Sequence, residues 1–372
     1  MIKVLNIISD TNIGGAGRVL VNYLKCADRS RFALAVALPR GSALIPQLAP
    51  LGAELFEIDG MADKSFDPRV ISGLKKLIRE WQPDIVHTHG AMSGRIAGRQ
   101  CGRTVIFTRH CAFGLSPRLQ KGVGRLLYKT LNEHYADRII AISPAAAKDL
   151  TDGGVSPEKI DVMMNGVEPV LRSEEARREF RARFGAGDGD FVLGILARIE
   201  VYKGHCDILR ALKLLADEGL PLRLFIAGAG SYETELRRLC TELGLEDRVS
   251  FCGFQRDVAP FLSAIDLQLN ASTVTETSSL SILEGYSMGL PAVVSDVGGN
   301  PCLMEPGQSG LMFPAGDAAA LADCIRRICG DRALYQTLCS GAQALYASRF
   351  TGQIAAARTE EIYMKALEEK RK

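Results

Sequence analysis

The sequence predicts an α/β protein made of two Rossmann-like domains in series, facing a shared cleft. Three observations predict it. Short apolar runs that read as strands alternate with segments of helical periodicity along the chain, the pattern of parallel sheets joined by right-handed crossovers. The alternation breaks once, in a charged stretch at 171–189, and then restarts. At 372 residues the chain also exceeds what one core ordinarily serves. Ligands of such sheets gather at the carboxyl ends of the strands, so the cleft is the expected site.

In order, residues 3–8 read as a strand, followed by the glycine-rich turn Gly14, Gly15, Ala16, Gly17 and a helix carrying Val19, Leu20, Tyr23 and Leu24. Residues 33–38 and 54–58 are the next strands. Val70, Ile71, Leu74, Leu77, Ile78 and Trp81 keep a helical period that Pro83 stops. Strands at 84–87, 104–107, 138–142 and 160–164 complete the first half. Residues 171–189 read as a surface helix and a turn. Strands at 191–196, 222–226, 249–251, 267–270 and 292–295 form the second half, and a last helix covers about 351–370.

Composition narrows the class. Hydrophobic residues make up 47% and charged residues 24% of a chain with net charge +2, so it is globular and carries no global field for nucleic acid. None of the ten cysteines forms a Cys-x-x-Cys pair, which points to reduced, mostly buried thiols rather than zinc. No apolar run is long enough for a bilayer, and residues 1–8 read as a buried strand rather than an export signal. The expected location is the cytosol.

The strongest constellation is Glu276 and Glu284. The first lies in a polar loop after a strand, the second in the opening of a helix. Backbone N–H groups at Ser279 and Leu280, where that helix starts, suit a diphosphate. A carboxylate in the helix suits the vicinal hydroxyls of a ribose. The alternative is a pair of solvated glutamates, less natural for Glu284 among Leu280, Ile282 and Leu283. Arg198 and Lys203 follow another apolar strand, where cations can clamp a pyrophosphate leaving group; the alternative is two surface cations. Gly14 and Gly15 open a turn that lets backbone approach a phosphate or sugar, although the dinucleotide fingerprint is absent. His87, His89 and His110 sit at strand ends. The His87-Thr88-His89 pair could bind a metal, but no third ligand is evident nearby in the sequence; hydrogen bonding is the expected role of His110 and a structural one that of His87.

Asp188 and Asp190 have a metal-binding spacing but lie at the wrong end of a strand, so no metal is expected. Residues 117–131 bear Arg118, Lys121, Arg125 and Lys129 beside Leu119, Val123, Leu126 and Leu127. Such a basic amphipathic helix can lie on an anionic membrane; the alternative is a helix packed on its sheet with a solvated basic face.

Together these motifs resemble the retaining, metal-independent glycosyltransferases of the GT-B fold, family 4 (group 1 type). The resemblance rests on Gly14-Gly15, the Asp84–His89 strand, Asn165-Gly166-Val167, Arg198 with Lys203-Gly204, Ala227–Gly230, Gly253-Phe254, the glutamate pair and Asp296–Gly299. It implies an acceptor domain over 1–168 to which a helix at about 351–372 returns, and a donor domain over 169–350. It implies a nucleotide-sugar donor, no cofactor, and a lipid-linked or polysaccharide acceptor of the cell envelope, reached at the inner face of the membrane.

By that resemblance Arg198 and Lys203 neutralise the departing pyrophosphate, Glu284 holds the ribose and Glu276 the donor sugar. Phe254 and Arg256 border the base, while Gly15 and His110 approach phosphate and sugar from the first domain. Retention follows from front-face attack through an oxocarbenium-like state, a phosphate oxygen taking the acceptor proton. The chain departs from the family at Thr277-Ser278-Ser279, where Gly-Phe-Gly is usual, at Cys302 and at Asn270-Ala271. Two alternatives share the architecture: a nucleotide-sugar 2-epimerase and a catalytically silent nucleotide-sugar-binding protein.

Overall fold

The computed structural model describes residues 1–187 and 189–371. They form two units, Met1–Val167 with the chain from Phe350 onward, and Glu168–Arg349.

The first unit holds a seven-stranded parallel sheet in the order β3-β2-β1-β4-β5-β6-β7. Its strands are β1 (Ile2–Ile8), β2 (Phe32–Pro39), β3 (Glu54–Ile58), β4 (Ile85–His89), β5 (Thr104–Arg109), β6 (Arg138–Ala141) and β7 (Ile160–Val162). Central strands are buried on both faces, as their continuous apolar runs require. Helix Pro68–Trp81 begins at Asp67, whose carboxylate accepts from the Arg69 amide, and ends at Gln82 in a left-handed turn ahead of Pro83. The terminal helix Gly352–Arg371 packs on this unit's own core, with Tyr363 fully buried beside Tyr23 and Phe32.

The second unit holds a six-stranded parallel sheet in the order β10-β9-β8-β11-β12-β13. Its strands are β8 (Phe191–Leu196), β9 (Leu222–Ala227), β10 (Val249–Gly253), β11 (Leu267–Asn270), β12 (Ala292–Ser295) and β13 (Gly310–Phe313). Both strand orders reverse at the first strand of their unit, which creates a switch point at the strand ends. The two sheets agree with the predicted fold class.

Three local expectations need correction. β13 was not anticipated, because four residues after a polar loop carry too little periodicity. The helix Glu174–Arg183 is not wholly a surface element: Arg181 is fully buried and donates to Asp266 at 2.7 Å, with Arg177 on the other carboxylate oxygen at 2.8 Å. Residues 117–131 are not one helix. A short turn, Pro117–Gln120, is separated from helix Gly122–His134 by Lys121 in an extended conformation. Nor does the apolar side of that second helix rest on the sheet. Val123, Leu126, Leu127 and Leu131 are exposed, whereas Asn132 is buried.

Candidate functional site

In the second unit, the segment after β11 folds back over the ends of β11 and β12. Glu276 in that loop is buried, and its Oε2 accepts from Lys203 Nζ at 2.8 Å, Asn270 Nδ2 at 3.1 Å and Ser272 Oγ at 3.1 Å. Burial pushes the carboxyl up. The Lys203 ammonium, with the Asn270 and Ser272 hydrogen bonds, outweighs burial, so the net shift is below the ordinary value. Oε1 accepts only the local Thr277 amide among these bonds, at 3.2 Å. The carboxylate is therefore ionised, with three side-chain partners on Oε2 and the Thr277 amide on Oε1.

Two glycines make this geometry possible. Gly204 follows Lys203 at φ 69°, and a Cβ there would lie 1.8 Å from the Ala271 carbonyl oxygen. Only glycine lets the Lys203 turn close against the end of β11. Gly298, at φ 62°, lies so near the Glu276 loop that a Cβ would come within 2.1 Å of the Glu276 carbonyl oxygen, which Gly299 N–H bonds at 2.9 Å. The Asp296–Gly299 motif thus backs the glutamate loop.

Arg198 does not join Glu276. It is exposed, and its Nη2 donates to the Tyr202 hydroxyl at 2.6 Å. The Lys203 ammonium lies 5.6 Å from the centre of the same Tyr202 ring, so one tyrosine touches both cations. Tyr202 was not picked out from the sequence, and neither were Asn270 and Ser272 as partners of Glu276.

Helix Leu280–Ser287 starts after Ser279, whose hydroxyl pairs with Ser281 at 3.1 Å rather than capping the helix. Leu280 and Glu284 are both buried, which contradicts the solvated-glutamate alternative for Glu284 and equally for Glu276. Within Thr277-Ser278-Ser279, Ser278 is buried and the other two are half-buried. Phe254 and Arg256 are exposed just beyond β10, at the carboxyl end of the edge strand. Cys302 is half-buried in a short 3-10 turn.

In the first unit, Gly14 precedes helix Gly15–Cys26. A Cβ at Gly15 would meet nothing within 4 Å, so packing gives no reason for glycine there. His87 Nδ1 and Nε2 lie 2.7 Å from the Tyr363 hydroxyl and from Thr108 Oγ1. His89 Nδ1 lies 3.0 Å from His110 Nε2. Burial, with the neighbouring His110, pushes the His87 pKa down to about 3; burial alone takes His110 to about 4.

Among the described residues no group of three or more His, Cys, Asp or Glu is placed to hold a metal ion. Asp188 lies outside the described residues. Asp190 accepts from the Gly187 amide and from Arg223 Nε, each at 2.8 Å. All ten cysteines are free thiols. No described helix is long and apolar enough to cross a membrane.

Known proteins resemble the chain in both halves. Residues 190–331 match the family model described as glycosyl transferases group 1, and residues 13–171 that described as glycosyltransferase family 4. The putative glycosyltransferase EpsD of Bacillus subtilis is 30% identical over 281 residues, spanning 71% of this chain and 72% of its own. The Escherichia coli UDP-Gal:alpha-D-GlcNAc-diphosphoundecaprenol alpha-1,3-galactosyltransferase is 29% identical over 287 residues, 72% of each chain. The crystal structure of Anabaena HepE in complex with UDP and glucose superimposes with a TM-score of 0.85 at 24% identity, covering 98% of this chain and all of that one.

Proposed function

The chain belongs to the group 1 (family 4) glycosyltransferases of the GT-B fold, and from that premise we propose that it moves a sugar, with retention and without a metal ion, from a nucleotide diphosphate to a lipid-linked or polysaccharide acceptor. The observation that carries this reading is the buried Lys203–Glu276 pair at the carboxyl end of β11. A lysine beside a leaving pyrophosphate offsets the charge that develops as the glycosidic bond breaks. A carboxylate whose side-chain partners all sit on Oε2 keeps a lone pair of Oε1, beside the Thr277 amide, for a sugar hydroxyl. It serves as a binding group rather than the general acid or base of a glycosidase pair.

The other roles follow from place. Glu284, inside the first turns of its helix, binds the ribose. Ser279 and Leu280 offer N–H groups to the diphosphate. Arg198, on a loose tether to Tyr202, closes on the phosphates when donor binds. Phe254 and Arg256 border the base. Gly14, Gly15 and His110 are the first unit's contributions. Two cations and a helix start supply the charge that a metal supplies elsewhere, which supports metal independence.

The acceptor reading draws on the E. coli relative, whose name specifies a diphosphoundecaprenol-linked substrate. It also draws on helix Gly122–His134, whose exposed Val123, Leu126, Leu127 and Leu131 are accompanied by Arg118, Lys121, Arg125 and Lys129. Apolar side chains with flanking cations suit the headgroup region of an anionic bilayer, where such an acceptor resides. Peripheral attachment to the inner face of the membrane is part of this proposal.

Incubation with a panel of nucleotide sugars in chelator, with membrane-lipid or oligosaccharide acceptors, tests the reading. Acceptor-dependent release of nucleoside diphosphate, with the product keeping the donor's anomeric configuration, is expected. Release with an epimerised free sugar would favour the 2-epimerase, and binding without turnover the silent binder.

A further inference from the structure

Behind Glu276 lies a layer of polar side chains, all in the second unit. Asn270 ends β11, Ser272 follows it, Ser295 ends β12, and Asn300 opens the 3-10 turn Asn300–Leu303. Ser272, Ser295 and Asn300 are fully buried and Asn270 nearly so. Buried polar groups cost stability unless they are bonded, and these are bonded to one another in a fixed order.

The order follows from a group that cannot turn. The Ser272 backbone N–H donates to Asn270 Oδ1 at 3.2 Å, and the Ser272 hydroxyl lies 2.8 Å from the same oxygen. With its oxygen held there, the Asn270 amide presents Nδ2 to Glu276 Oε2 at 3.1 Å. A flipped amide would set its NH2 group against the Ser272 N–H and its oxygen against a carboxylate. Ser295 Oγ donates to the Ser272 carbonyl at 2.6 Å, which leaves a lone pair for Asn300 Nδ2 at 3.2 Å. The same Nδ2 lies 3.5 Å from Asn270 Oδ1.

The backbone repeats the hold. One residue before Asn300, the Gly299 N–H bonds the Glu276 carbonyl at 2.9 Å. Gly299 and Asn300 thus grip the glutamate twice, once at its main chain and once at its side chain through Asn270. The bonds of these residues are made inside the protein, so their effect on a ligand runs through Glu276.

We infer that Asn270, held by Ser272 and Asn300, is a positioning residue that fixes the Glu276 carboxylate for a hydroxyl of the donor sugar, and so favours a nucleotide sugar over its bare nucleoside diphosphate. This rests on the reading that Glu276 binds the sugar being moved. That reading keeps the sugar contact and the polar layer in one unit.

The test compares two ligands: the nucleotide sugar that the donor panel identifies and the nucleoside diphosphate it releases. Asn270→Leu should raise KM for the donor about tenfold, the scale of one hydrogen bond to a charged group, with kcat and the Kd of the diphosphate changed no more than about twofold. Ser272→Ala removes a single hydroxyl and should show the same selective loss, which keeps the test open if Asn270→Leu does not fold. Asn300→Ala should raise the donor KM about threefold, the scale of a neutral hydrogen bond. Equal weakening of donor and diphosphate, or a loss confined to kcat, overturns the inference. An unchanged donor KM in Asn300→Ala overturns the part given to Asn300.

A double-mutant cycle supplies the second arm. In a Glu276→Gln background, Asn270→Leu should add little to the donor KM, because the carboxylate it acts through is gone. A full, additive loss overturns the positioning role. The same cycle on melting temperature needs no ligand: the fall caused by Asn270→Leu should be smaller in Glu276→Gln than in the unmodified chain. Equal falls contradict the coupling. An unchanged donor KM in Glu276→Gln itself removes the sugar contact, and a coupled melting cycle then still ties Asn270 to Glu276.

Discussion

Lys203 Nζ and Glu276 Oε2 lie 2.8 Å apart, although 73 residues separate them in the chain. Both side chains are largely buried. Burial opposes the carboxylate, and the ammonium with two further hydrogen bonds more than offsets it, so the folded pKa lies below the unfolded one. The unfolded chain therefore binds this proton more readily. The stability it contributes is full above the ordinary carboxylate range and is lost as pH falls through the depressed folded value. Glu276→Gln should flatten that acid limb: its melting temperature should approach that of the unmodified chain as pH drops from 6 to 3. A constant gap across the whole range would show that the carboxylate is not depressed.

The histidines give a second acid limb at higher pH. His110 and His87 have folded values of about 4 and about 3 against an ordinary 6.5. Here too the unfolded state binds more protons, so stability is full above about 6.5 and declines toward about 4. His110→Gln should lessen the fall in melting temperature between pH 7 and pH 5. An identical slope in the variant would mean that His110 is not held neutral.

Glu284 is a binding prediction. If it holds the ribose, Glu284→Ala should weaken nucleoside diphosphate binding about tenfold or more, the scale of a charged hydrogen bond. The rate at saturating donor should change far less. Calorimetry with the free nucleotide checks it, and unchanged affinity would move the ribose elsewhere.

Metal removal should leave turnover intact. The rate in excess chelator should equal that with magnesium or manganese added, and Asp190→Asn should keep its activity while melting lower for want of the Arg223 ion pair. Strict dependence on a metal would contradict the proposal.

Helix Gly122–His134 makes a surface prediction. Changing Val123, Leu126 and Leu127 to serine should reduce binding to anionic vesicles several-fold through lost apolar burial. Neutralising Arg118, Lys121, Arg125 and Lys129 should do so mainly at low salt. Sedimentation with vesicles reads both, and equal binding by all variants would leave the helix without a membrane role.

The α/β alternation and two-sheet organisation were legible because strand and helix periods are local properties. So was the presence of Glu276, Glu284, Arg198 and Lys203 beside strand ends. What was not legible is the path of loops and the meeting of distant segments. Asn270 and Ser272 lie only six and four residues from Glu276, and Tyr202 four from Arg198, but periodicity does not say how a loop turns these side chains onto one another. The bond from Asn6 to His89 joins residues 83 apart. Arg181 sits in a charged stretch that reads as surface, yet the buried Asp266 that draws it inward lies 85 residues on. Helix Gly122–His134 shows the converse: its leucines and valine suggest a packed face, and only the fold reveals that Val123, Leu126 and Leu127 stand exposed.

The most direct test of the account is the single-turnover rate of Lys203→Ala with saturating donor and acceptor. If Lys203 offsets charge on the departing pyrophosphate, the rate should fall by about two to three orders of magnitude. A single-turnover rate equal to that of the unmodified chain would remove Lys203 from the reaction and contradict the reading built on its pairing with Glu276.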